Sequence, residues 1–553
     1  MGKLKVLESV LLLSVVTLLV FPILYICRFL DTNTLVSWRW VFATVPASWV
    51  MVWLLAAVVC SVLVSWWVPL ERYPGPFLFF LAIPVILPLW SEPELLLDSG
   101  RYFLQARHLA EYGFLYFVRE WGREIPTWTD LPLIPMLYGL IFKMSGESRI
   151  AIQCFTTLLF ALTTVLTAKI GEELWDRETG FYAGMMLFGM PYLMTQVVLM
   201  LVDVPAMFFL VLALHLFLLA ISRGGGWMAM SVSAIVFAML AKYSLWPMLL
   251  VLPLSALFCK GPDRRTSICR AGVVLFAAAS VAALMIVLKF SLFSGQLEIL
   301  LQYQKPALKL WREGYFSTFF FQISPLVSIL ALWALYRAWR TGNRQVLIAT
   351  FFAVMVFGLQ MKRIRYIIPL LPLLALLASF GLQAIREKMV RRFAALVIVS
   401  YSLVIAYTGY LPFFKTTSMM NIMEAGRFLD TLPGDTVELL ALPQRTSGGN
   451  TVLAIPQLDL FTAKKIVSRQ DWMGGEEGLW SSFAPLLFSW QIARPPFYRP
   501  EVGGAPLPLV VIADTTLPEN VAAAAGIGAK ILKKKFVSAP GVFRFQTNVF
   551  VYD

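Results

Sequence analysis

Long apolar runs dominate the chain, and short polar or charged segments separate them. A membrane-spanning helix needs about 20 mostly apolar residues, and about thirteen runs approach or reach that length. They lie near 9–29, 41–67, 76–90, 151–169, 181–199, 205–221, 227–243, 245–259, 271–290, 316–336, 346–360, 366–384 and 393–411. The pattern predicts a polytopic all-α membrane protein with about 13 transmembrane helices.

The apolar segment 131–145 does not fit this series of spans. It has only 15 residues and contains two prolines, so it is shorter than the bilayer core requires. Counting it as a span would also move every later loop to the opposite side of the membrane. We therefore interpret 131–145 as a juxtamembrane or re-entrant helix.

The pattern changes after residue 411, where the composition becomes that of an ordinary globular domain. Short apolar runs and alternation predict helices and strands there. The helices are expected over 421–432 and 521–530, and the strands over 436–442, 509–514 and 542–552. We expect the chain to have two parts: a transmembrane core, 1–411, including an extracytoplasmic first loop, 91–150, and a small extracytoplasmic α/β domain, 412–553.

Composition excludes several classes of protein. Hydrophobic residues make up 59% of the chain and charged residues 14%, whereas soluble domains carry roughly 25% charged residues. With a mean hydropathy of +0.75, the chain cannot bury its apolar surface in one water-soluble core. A cytosolic enzyme, a secreted disulfide scaffold and a disordered protein are excluded. A transporter, a channel and a membrane-embedded enzyme remain.

The distribution of charge predicts how the chain lies in the membrane. Residues 1–410 contain 33 Lys and Arg against 20 Asp and Glu, whereas 411–553 contain 13 against 12. Lys and Arg concentrate in cytoplasmic loops, which predicts a cytoplasmic N-terminus and a periplasmic C-terminal domain on an inner (plasma) membrane protein. The tail lacks the basic patch that nucleic-acid binding needs, so no nucleic-acid partner is expected.

The first external loop begins with ionisable residues at helical spacing. Asp98, Arg101, Gln105 and His108 recur every three or four positions, so they share one face of an amphipathic helix. A carboxylate at the membrane-facing start of this helix, one turn from an arginine, suits a general base beside an anionic substrate. The alternative is that Asp98 only caps the helix, because Asp is a favoured N-cap residue.

Five short motifs follow one another in a fixed order between residues 95 and 372. They are Asp98-x-x-Arg101-Tyr102 with Arg107 and Gly113, Asp130-Leu131-Pro132-Leu133, Leu201-Val202-Asp203-Val204-Pro205, Ala241-Lys242-Tyr243-Ser244, and Arg365-Tyr366-Ile367-Ile368-Pro369-x-x-Pro372. In this order they resemble the motifs of GT-C glycosyltransferases. The similarity is to the branch that contains lipid A aminoarabinose transferase and the protein O-mannosyltransferases.

The resemblance implies transfer of one sugar from a polyprenyl-phosphate-linked donor to an acceptor hydroxyl at the outer face of the membrane. The family's first-loop Asp corresponds to Asp98, which would deprotonate the acceptor while the lipid phosphate leaves and the anomeric centre inverts. The implied partners are the lipid-linked donor, membrane lipid, and a glycolipid, polysaccharide or protein acceptor. The matching positions with an implied role in substrate binding are Arg101, Tyr102, Asp130, Asp203, Lys242 and Tyr243.

Two positions depart from the family's pattern. Ser99 replaces an acidic residue that often follows the first-loop Asp, and Leu131 replaces the lysine that would bind phosphate. Lys362, Arg363 and Arg365 are candidates to replace that lysine, since three cations at a predicted external membrane face run against the positive-inside trend. The alternative is a helix end whose basic side chains snorkel to the interface.

Four of the candidate residues have a second interpretation. Asp203 suits a plain helix start, where its side chain would act as a cap. Asp130 would hold either the acceptor or Arg101. Arg101 and Lys242 are further candidates for the phosphate, because a leaving phosphate needs cationic partners.

Neither the cofactor nor the overall function follows from these motifs alone. No cofactor or metal is expected. Glu92 and Glu94 suit a turn around Pro93. In the alternative interpretation they would hold a divalent ion together with Asp98.

Two other functions are considered beside the transferase. One is a transporter or flippase of lipid or lipid-linked sugar, and the other is a catalytically silent relative that only binds a lipid-linked sugar.

Overall fold

The computed structural model is mostly helical, with one small β-sheet in the C-terminal part of the chain. It describes residues 2–34, 36–68, 70–91, 98–258, 263–304, 313–417, 420–442, 454–468, 495–499, 507–513, 527, 530–537 and 548–553. The predicted tail helix over 521–530 lies almost entirely outside the described residues.

The helices follow the apolar runs of the sequence. Those before residue 260 are α1 (Gly2–Ile26), α2 (Trp38–Val41), α3 (Ala47–Trp67), α4 (Pro74–Ile86), α5 (Asp98–Tyr112), α6 (Phe114–Glu120), α7 (Leu133–Ser145), α8 (Arg149–Leu174), α9 (Arg177–Phe188), α10 (Pro191–Val197), α11 (Asp203–Arg223), α12 (Gly226–Ala241), α13 (Leu245–Met248) and α14 (Val251–Phe258). Those after it are α15 (Arg264–Leu288), α16 (Phe290–Ile299), α17 (Pro325–Thr341), α18 (Val346–Gly358), α19 (Ile364–Ile367), α20 (Leu371–Leu382), α21 (Lys388–Ile405), α22 (Leu411–Thr417), α23 (Met420–Leu429) and α24 (Ala454–Asp459).

Seven helical segments within the described residues are long and apolar enough to cross a membrane. They are Leu4–Leu30, Ala47–Trp67, Arg149–Leu174, Asp203–Arg223, Arg264–Leu288, Ile364–Leu382 and Lys388–Lys415. Shorter apolar helices occupy further predicted runs, among them Gly226–Ala241 and Val346–Gly358. The chain is therefore a multi-pass membrane protein, and the count of about 13 spans stays a prediction.

Several of the long helices expose apolar side chains over most of their surface. Only 17% of the apolar window of Arg264–Leu288 is buried within the protein, and Phe276 and Val287 are 75% and 70% exposed. Water would oppose such exposure, whereas lipid tails do not. These faces are therefore suited to contact with the bilayer.

The described chain divides into two compact units. Unit 1 consists of Met1–Trp90, Gln153–Phe290 and Trp311–Pro412. Unit 2 consists of Ser91–Ile152, Ser291–Leu310 and Phe413–Asp553. The first loop and the tail thus belong to the same compact unit. The predicted division into a core, 1–411, that includes this loop and a domain, 412–553, stays a prediction.

Close helix crossings in unit 1 depend on glycine. A Cβ atom on Gly171 would come within 2.7 Å of Gly180 Cα, and one on Gly180 would come within 2.2 Å of Ala168 O. Helices α8 and α9 therefore approach each other backbone to backbone. Small residues at such crossings allow the van der Waals contact on which helix association in lipid depends.

The sheet of unit 2 is mixed, with the strand order β2-β1-β3-β5-β4. Its strands are β1 (Thr436–Ala441), β2 (Lys465–Ser468), β3 (Leu509–Ala513), β4 (Leu532–Val537) and β5 (Asn548–Tyr552). Strands β2, β1 and β3 are parallel, whereas β5 is antiparallel to both β3 and β4. Residues of α23 pack on one face, and the central strands are buried on both faces. The predicted small α/β domain is present.

The first-loop helices are part of the same unit. Segment 131–145 forms the 13-residue helix α7, which packs against α5. Leu104 of α5 joins the apolar core under the sheet. Residues Ser99 to Leu109 of α5 are all buried, so this helix is more enclosed than its amphipathic pattern indicates.

Candidate functional site

The first-loop cluster consists of Asp98, Arg101, Gln105 and Asp130. The first three lie on one face of α5, as their spacing predicts. The Arg101 guanidinium forms a bidentate ion pair with the Asp130 carboxylate. Nε lies 2.7 Å from Oδ2, and Nη2 donates to Oδ1 at 3.0 Å. Asp98 Oδ1 lies 3.7 Å from Arg101 Nη2. Of the two interpretations of Asp130, the structure places it against Arg101.

Amide groups fix Asp130 from two further sides. Gln105 Nε2 donates to Asp130 Oδ2 at 3.0 Å, and Gln296 Nε2 donates to the Asp130 backbone oxygen at 2.9 Å. Trp128 adopts φ 46°, which is rare for a bulky residue, and its ring lies 5.3 Å from the Arg101 guanidinium. Asp130 is thus a rigid anchor for Arg101.

Charge and exposure distinguish the two carboxylates that flank Arg101. Burial alone would lower the pKa of Arg101, but the Asp130 carboxylate outweighs it and raises that pKa above its ordinary value. The Asp130 side chain is 7% exposed, whereas the Asp98 side chain is 19% exposed. Of the two, Asp98 is therefore the carboxylate that solvent or a ligand reaches more readily. The hydroxyl of Tyr102 accepts from Arg101 Nη2 at 3.3 Å.

The second cluster lies in unit 1 and is built around Asp203. This carboxylate, at the start of α11, is completely buried. Arg365 Nε donates to its Oδ2 at 2.8 Å, and Lys242 Nζ contacts its Oδ1. Two cations from different helices therefore share one carboxylate, so the three side chains together carry a net positive charge. The side chain of Lys242 is 19% exposed.

The neighbouring cations occupy different environments. Arg363 is buried, and its Nε lies 3.6 Å from Glu313 Oε1, whereas Lys362 is exposed. The Tyr366 ring lies within 5.8 Å of Lys242 Nζ and 5.6 Å of the Arg363 guanidinium. Tyr366 thus lies between the two cations as a π-face partner for both.

Tyr243 follows Lys242 but contacts a different partner. Its ring packs against that of Trp246, with the centroids 5.1 Å apart and the ring planes tilted by 53°. The structure therefore brings together Lys242, Arg363 and Arg365 around Asp203 and Tyr366. The described contacts of Tyr243 and Lys362 are with other residues.

A third charged cluster lies in unit 2 and centres on Arg107. Arg107 is buried on α5 and contacts Asp459 of α24 through Nη1. Its Nε lies 3.1 Å from Glu147 Oε1. Tyr498 donates to Asp459 Oδ2 at 2.5 Å. The pairing of Arg107 with Asp459 joins segments that lie 352 residues apart in sequence.

Burial shifts the titration of two residues beside Arg107. Burial raises the pKa of Glu147 to about 7, against the lowering effect of Arg107. Burial and the Arg107 charge lower the pKa of His108 to about 4. His108 is therefore neutral at physiological pH, and it packs among aromatic rings that include Phe497 at 5.2 Å.

No group of three or more His, Cys, Asp or Glu side chains with metal-binding geometry occurs in the part of the chain that the structure describes. Glu92 and Glu94, the candidate partners of Asp98 for a divalent ion, lie outside the described residues.

Comparisons with known proteins show what the sequence and the fold resemble. Residues 129–290 match the family described as dolichyl-phosphate-mannose-protein mannosyltransferase. The whole fold is similar to ArnT from Cupriavidus metallidurans bound to undecaprenyl phosphate, with a TM-score of 0.56 at 14% sequence identity over 87% of this chain and 98% of that chain. Apo ArnT from the same organism gives a TM-score of 0.52 at 14% identity over 85% and 97%. No curated protein sequence matches this chain significantly.

The chain has the fold of the GT-C glycosyltransferases. The resemblance to the branch of ArnT and the protein mannosyltransferases, which the motifs predicted, is confirmed. Four of the predicted site residues, Asp130, Asp203, Lys242 and Tyr243, fall inside the segment that matches the mannosyltransferase family.

Sequence reasoning missed the partners that complete these clusters. Gln296 and Glu313 lie between the predicted spans 271–290 and 316–336, where the apolar pattern gives no signal. Asp459 and Tyr498 lie in the tail, far from Arg107 along the chain. One sequence carries no local signal for such distant pairings, because spacing reports only which residues share a helix face or strand face.

Proposed function

We propose that the chain transfers one sugar from a polyprenyl-phosphate-linked donor to an acceptor hydroxyl at the outer face of the membrane. The fold it shares with ArnT, whose structure contains undecaprenyl phosphate, supports a lipid-linked donor. The exposed apolar helix faces of unit 1 support entry of such a donor from the bilayer. The acceptor would be a glycolipid, a polysaccharide or a protein.

The observation that carries this proposal is the unequal exposure of the two carboxylates around Arg101. Asp130 is the anchor, with two contacts to Arg101 and one to Gln105. Asp98, the more exposed carboxylate, lies beside the same fixed cation. A carboxylate that is charged, oriented and accessible has the properties of a general base. Asp98 is therefore assigned the removal of the acceptor proton.

The phosphate of the donor is assigned to the cations of the Asp203 cluster. Lys242 and Arg365 share one carboxylate, so an added anion would be drawn to their excess positive charge. Arg363 and Lys362 add further positive charge, and Tyr366 orders two of the cations. Oriented cations stabilise the negative charge that develops on a leaving phosphate.

The proposed reaction is a single displacement. The acceptor oxygen forms a bond to the anomeric carbon as its proton passes to Asp98. The bond from that carbon to the phosphate oxygen breaks, and polyprenyl phosphate leaves with the electron pair. Because the attack comes from the side opposite the leaving group, the anomeric configuration inverts. The chemistry needs no redox step and no co-reactant.

Release of polyprenyl phosphate tests the proposal. Full-length protein in lipid nanodiscs is mixed with a panel of polyprenyl-phosphate sugars and a cell-envelope extract as acceptor. Asp98→Asn is expected to slow release by roughly 10²- to 10⁴-fold, the usual contribution of a general base. Glu124→Gln, which changes an exposed first-loop carboxylate, is expected to leave release unchanged.

A second arm of the same assay tests the phosphate assignment. Lys242→Gln is expected to raise the KM for the donor about tenfold or more, because it removes a charged contact. Lys169→Gln, at an exposed lysine outside the cluster, serves as the matched control. Equal rates in wild type and Asp98→Asn would remove Asp98 from its role. Donor binding without release would favour the silent relative, and donor translocation without release would favour a transporter.

A further inference from the structure

Unit 2 contains a cavity that the proposed chemistry does not use. Its volume is about 990 Å³, and its lining comes entirely from unit 2. Small-molecule sites typically measure about 300–1,000 Å³, so this cavity has room for several sugar rings. Arg107, Glu147 and Asp459 form its buried part, while Tyr112 and Phe497 line it with aromatic faces.

The buried part of the cavity is built around a guanidinium that is not fully satisfied. Arg107 is only 8% exposed at its side chain. Among the described residues, its Nε atom has no hydrogen-bond partner of good geometry, although Glu147 Oε1 lies 3.1 Å away. A buried donor without a hydrogen bond lowers the stability of the folded protein. A ligand oxygen would satisfy it.

The charges of the lining are nearly balanced. The carboxylates are those of Glu111, Glu147 and Asp459, and the cations are those of Arg107, Lys464, Lys465 and Arg499. The ammonium of Lys464 is already engaged, because it contacts the backbone oxygens of Leu432, at 2.8 Å, and Gly434. An anion would therefore meet carboxylates and a cation would meet the guanidinium of Arg107, whereas a neutral ligand avoids both repulsions.

A polyhydroxylated neutral molecule fits this lining. Its hydroxyls donate to carboxylates and accept from guanidinium groups, so each charged side chain gains a partner without a new charge being buried. Tyr112, which is 40% exposed, and Phe497 offer ring faces on which the apolar face of a sugar ring can pack.

We infer that this cavity binds a neutral saccharide portion of the acceptor. The inference rests on the proposed function, since it assigns the acceptor to a class of molecule and to a set of residues. It also narrows that function, because the cavity would select acceptors that carry uncharged sugar rings. The residues that carry it are Arg107, Glu147 and Asp459 for hydrogen bonding, and Tyr112 and Phe497 for stacking.

Direct binding tests the inference. Oligosaccharides released from the cell envelope are labelled with 2-aminobenzamide, separated into neutral and acidic fractions, and titrated onto full-length protein in nanodiscs. The neutral fraction is expected to bind, and Tyr112→Leu and Phe497→Leu are each expected to weaken binding by roughly fivefold or more through loss of the ring faces. Phe114→Leu changes an aromatic that is 47% exposed and outside the cavity, and is expected to leave binding unchanged.

The outcomes separate this inference from the proposed function. Binding of only the acidic fraction, binding that both leucine variants leave intact, or no binding of either fraction would overturn the saccharide site. Release of polyprenyl phosphate is measured on the same samples. Release without saccharide binding overturns the site and keeps the transferase. Saccharide binding without release from any donor keeps the site and overturns the transferase.

Discussion

At the scale of single residues, the candidate sites consist of buried charges whose partners come from distant parts of the sequence. Arg101 depends on Asp130, and Asp203 depends on Lys242 and Arg365. The sequence could indicate which ionisable residues are candidates for a function, because placing a charged side chain in or at the membrane costs free energy. It could not indicate that Asp130 would hold Arg101 rather than an acceptor, since that depends on packing across elements.

Replacing Asp130 tests its assignment as an anchor. Asp130→Asn removes the carboxylate that makes the two close contacts to the buried Arg101, and breaking such a buried pair costs about 3–5 kcal/mol. We expect the free energy of unfolding in detergent, measured by chemical denaturation, to fall by roughly that amount. Asp98→Asn changes a more exposed carboxylate 3.7 Å from Arg101, so its effect on stability is expected to stay below about 1 kcal/mol. The reverse order of the two effects would exchange the anchor and the base.

At the scale of secondary-structure elements, the strands with a clear hydrophobic pattern were predicted and those with a weak pattern were missed. The central strands β1, β3 and β5 are apolar runs buried in the sheet, and all three were predicted. The missed strands β2 and β4 lie at the two edges. Strand β2 has four residues, and β4 carries three consecutive lysines, Lys533 to Lys535. Short strands and lysines protect sheet edges from aggregation. They also remove the run of apolar residues from which a strand can be predicted.

The contact between α5 and α7 depends on a single glycine. A Cβ atom on Gly139 of α7 would lie 2.6 Å from Ala106 O and 2.7 Å from Leu109 Cβ. Both neighbours belong to α5, whose backbone cannot move without disturbing Arg101 and Arg107. Gly139→Ala is therefore expected to destabilise unit 2 by about 1–3 kcal/mol, the usual cost of overpacking.

Hydrogen exchange of the peptides that cover 98–112 and 133–145 would measure this effect. Gly295→Ala provides the matched control, because Gly295 also lies in a helix of unit 2 but has open space at its Cβ position. There the same substitution is expected to be neutral or to stabilise by about 0.5–1 kcal/mol. Equal exchange in the two variants would show that α5 and α7 do not pack as closely as described.

At the scale of the whole molecule, composition and charge predicted the class of protein and the α/β tail domain. The number of spans is harder to predict, because several apolar helices, such as Gly226–Ala241, are shorter than the bilayer core requires. Only packing with neighbouring helices decides whether such a segment crosses the membrane. The grouping of the first loop with the tail was also beyond the sequence, since it depends on contacts such as Arg107 with Asp459.

The predicted orientation of the chain follows from the positive-inside trend and has a direct test. We expect the C-terminal domain to face the outside. The end of α17, with Arg340, and the connection to α18, with Arg344, are expected to face the cytoplasm. In a variant whose five native cysteines are replaced by serine, Glu424→Cys and Thr341→Cys each introduce one exposed thiol. A membrane-impermeant maleimide added to intact cells, with the outer envelope made permeable, is expected to label Glu424→Cys alone.

Lysed cells supply the control, because both thiols become accessible once the membrane is broken. Labelling of Thr341→Cys but not Glu424→Cys in intact cells would invert the topology. Inversion would place the C-terminal domain on the cytoplasmic side of the membrane. The core loops that carry the excess of Lys and Arg would then face the outside, against the usual trend. Asp98 and the saccharide cavity both belong to unit 2. This one measurement therefore decides on which side of the membrane the proposed acceptor must be sought.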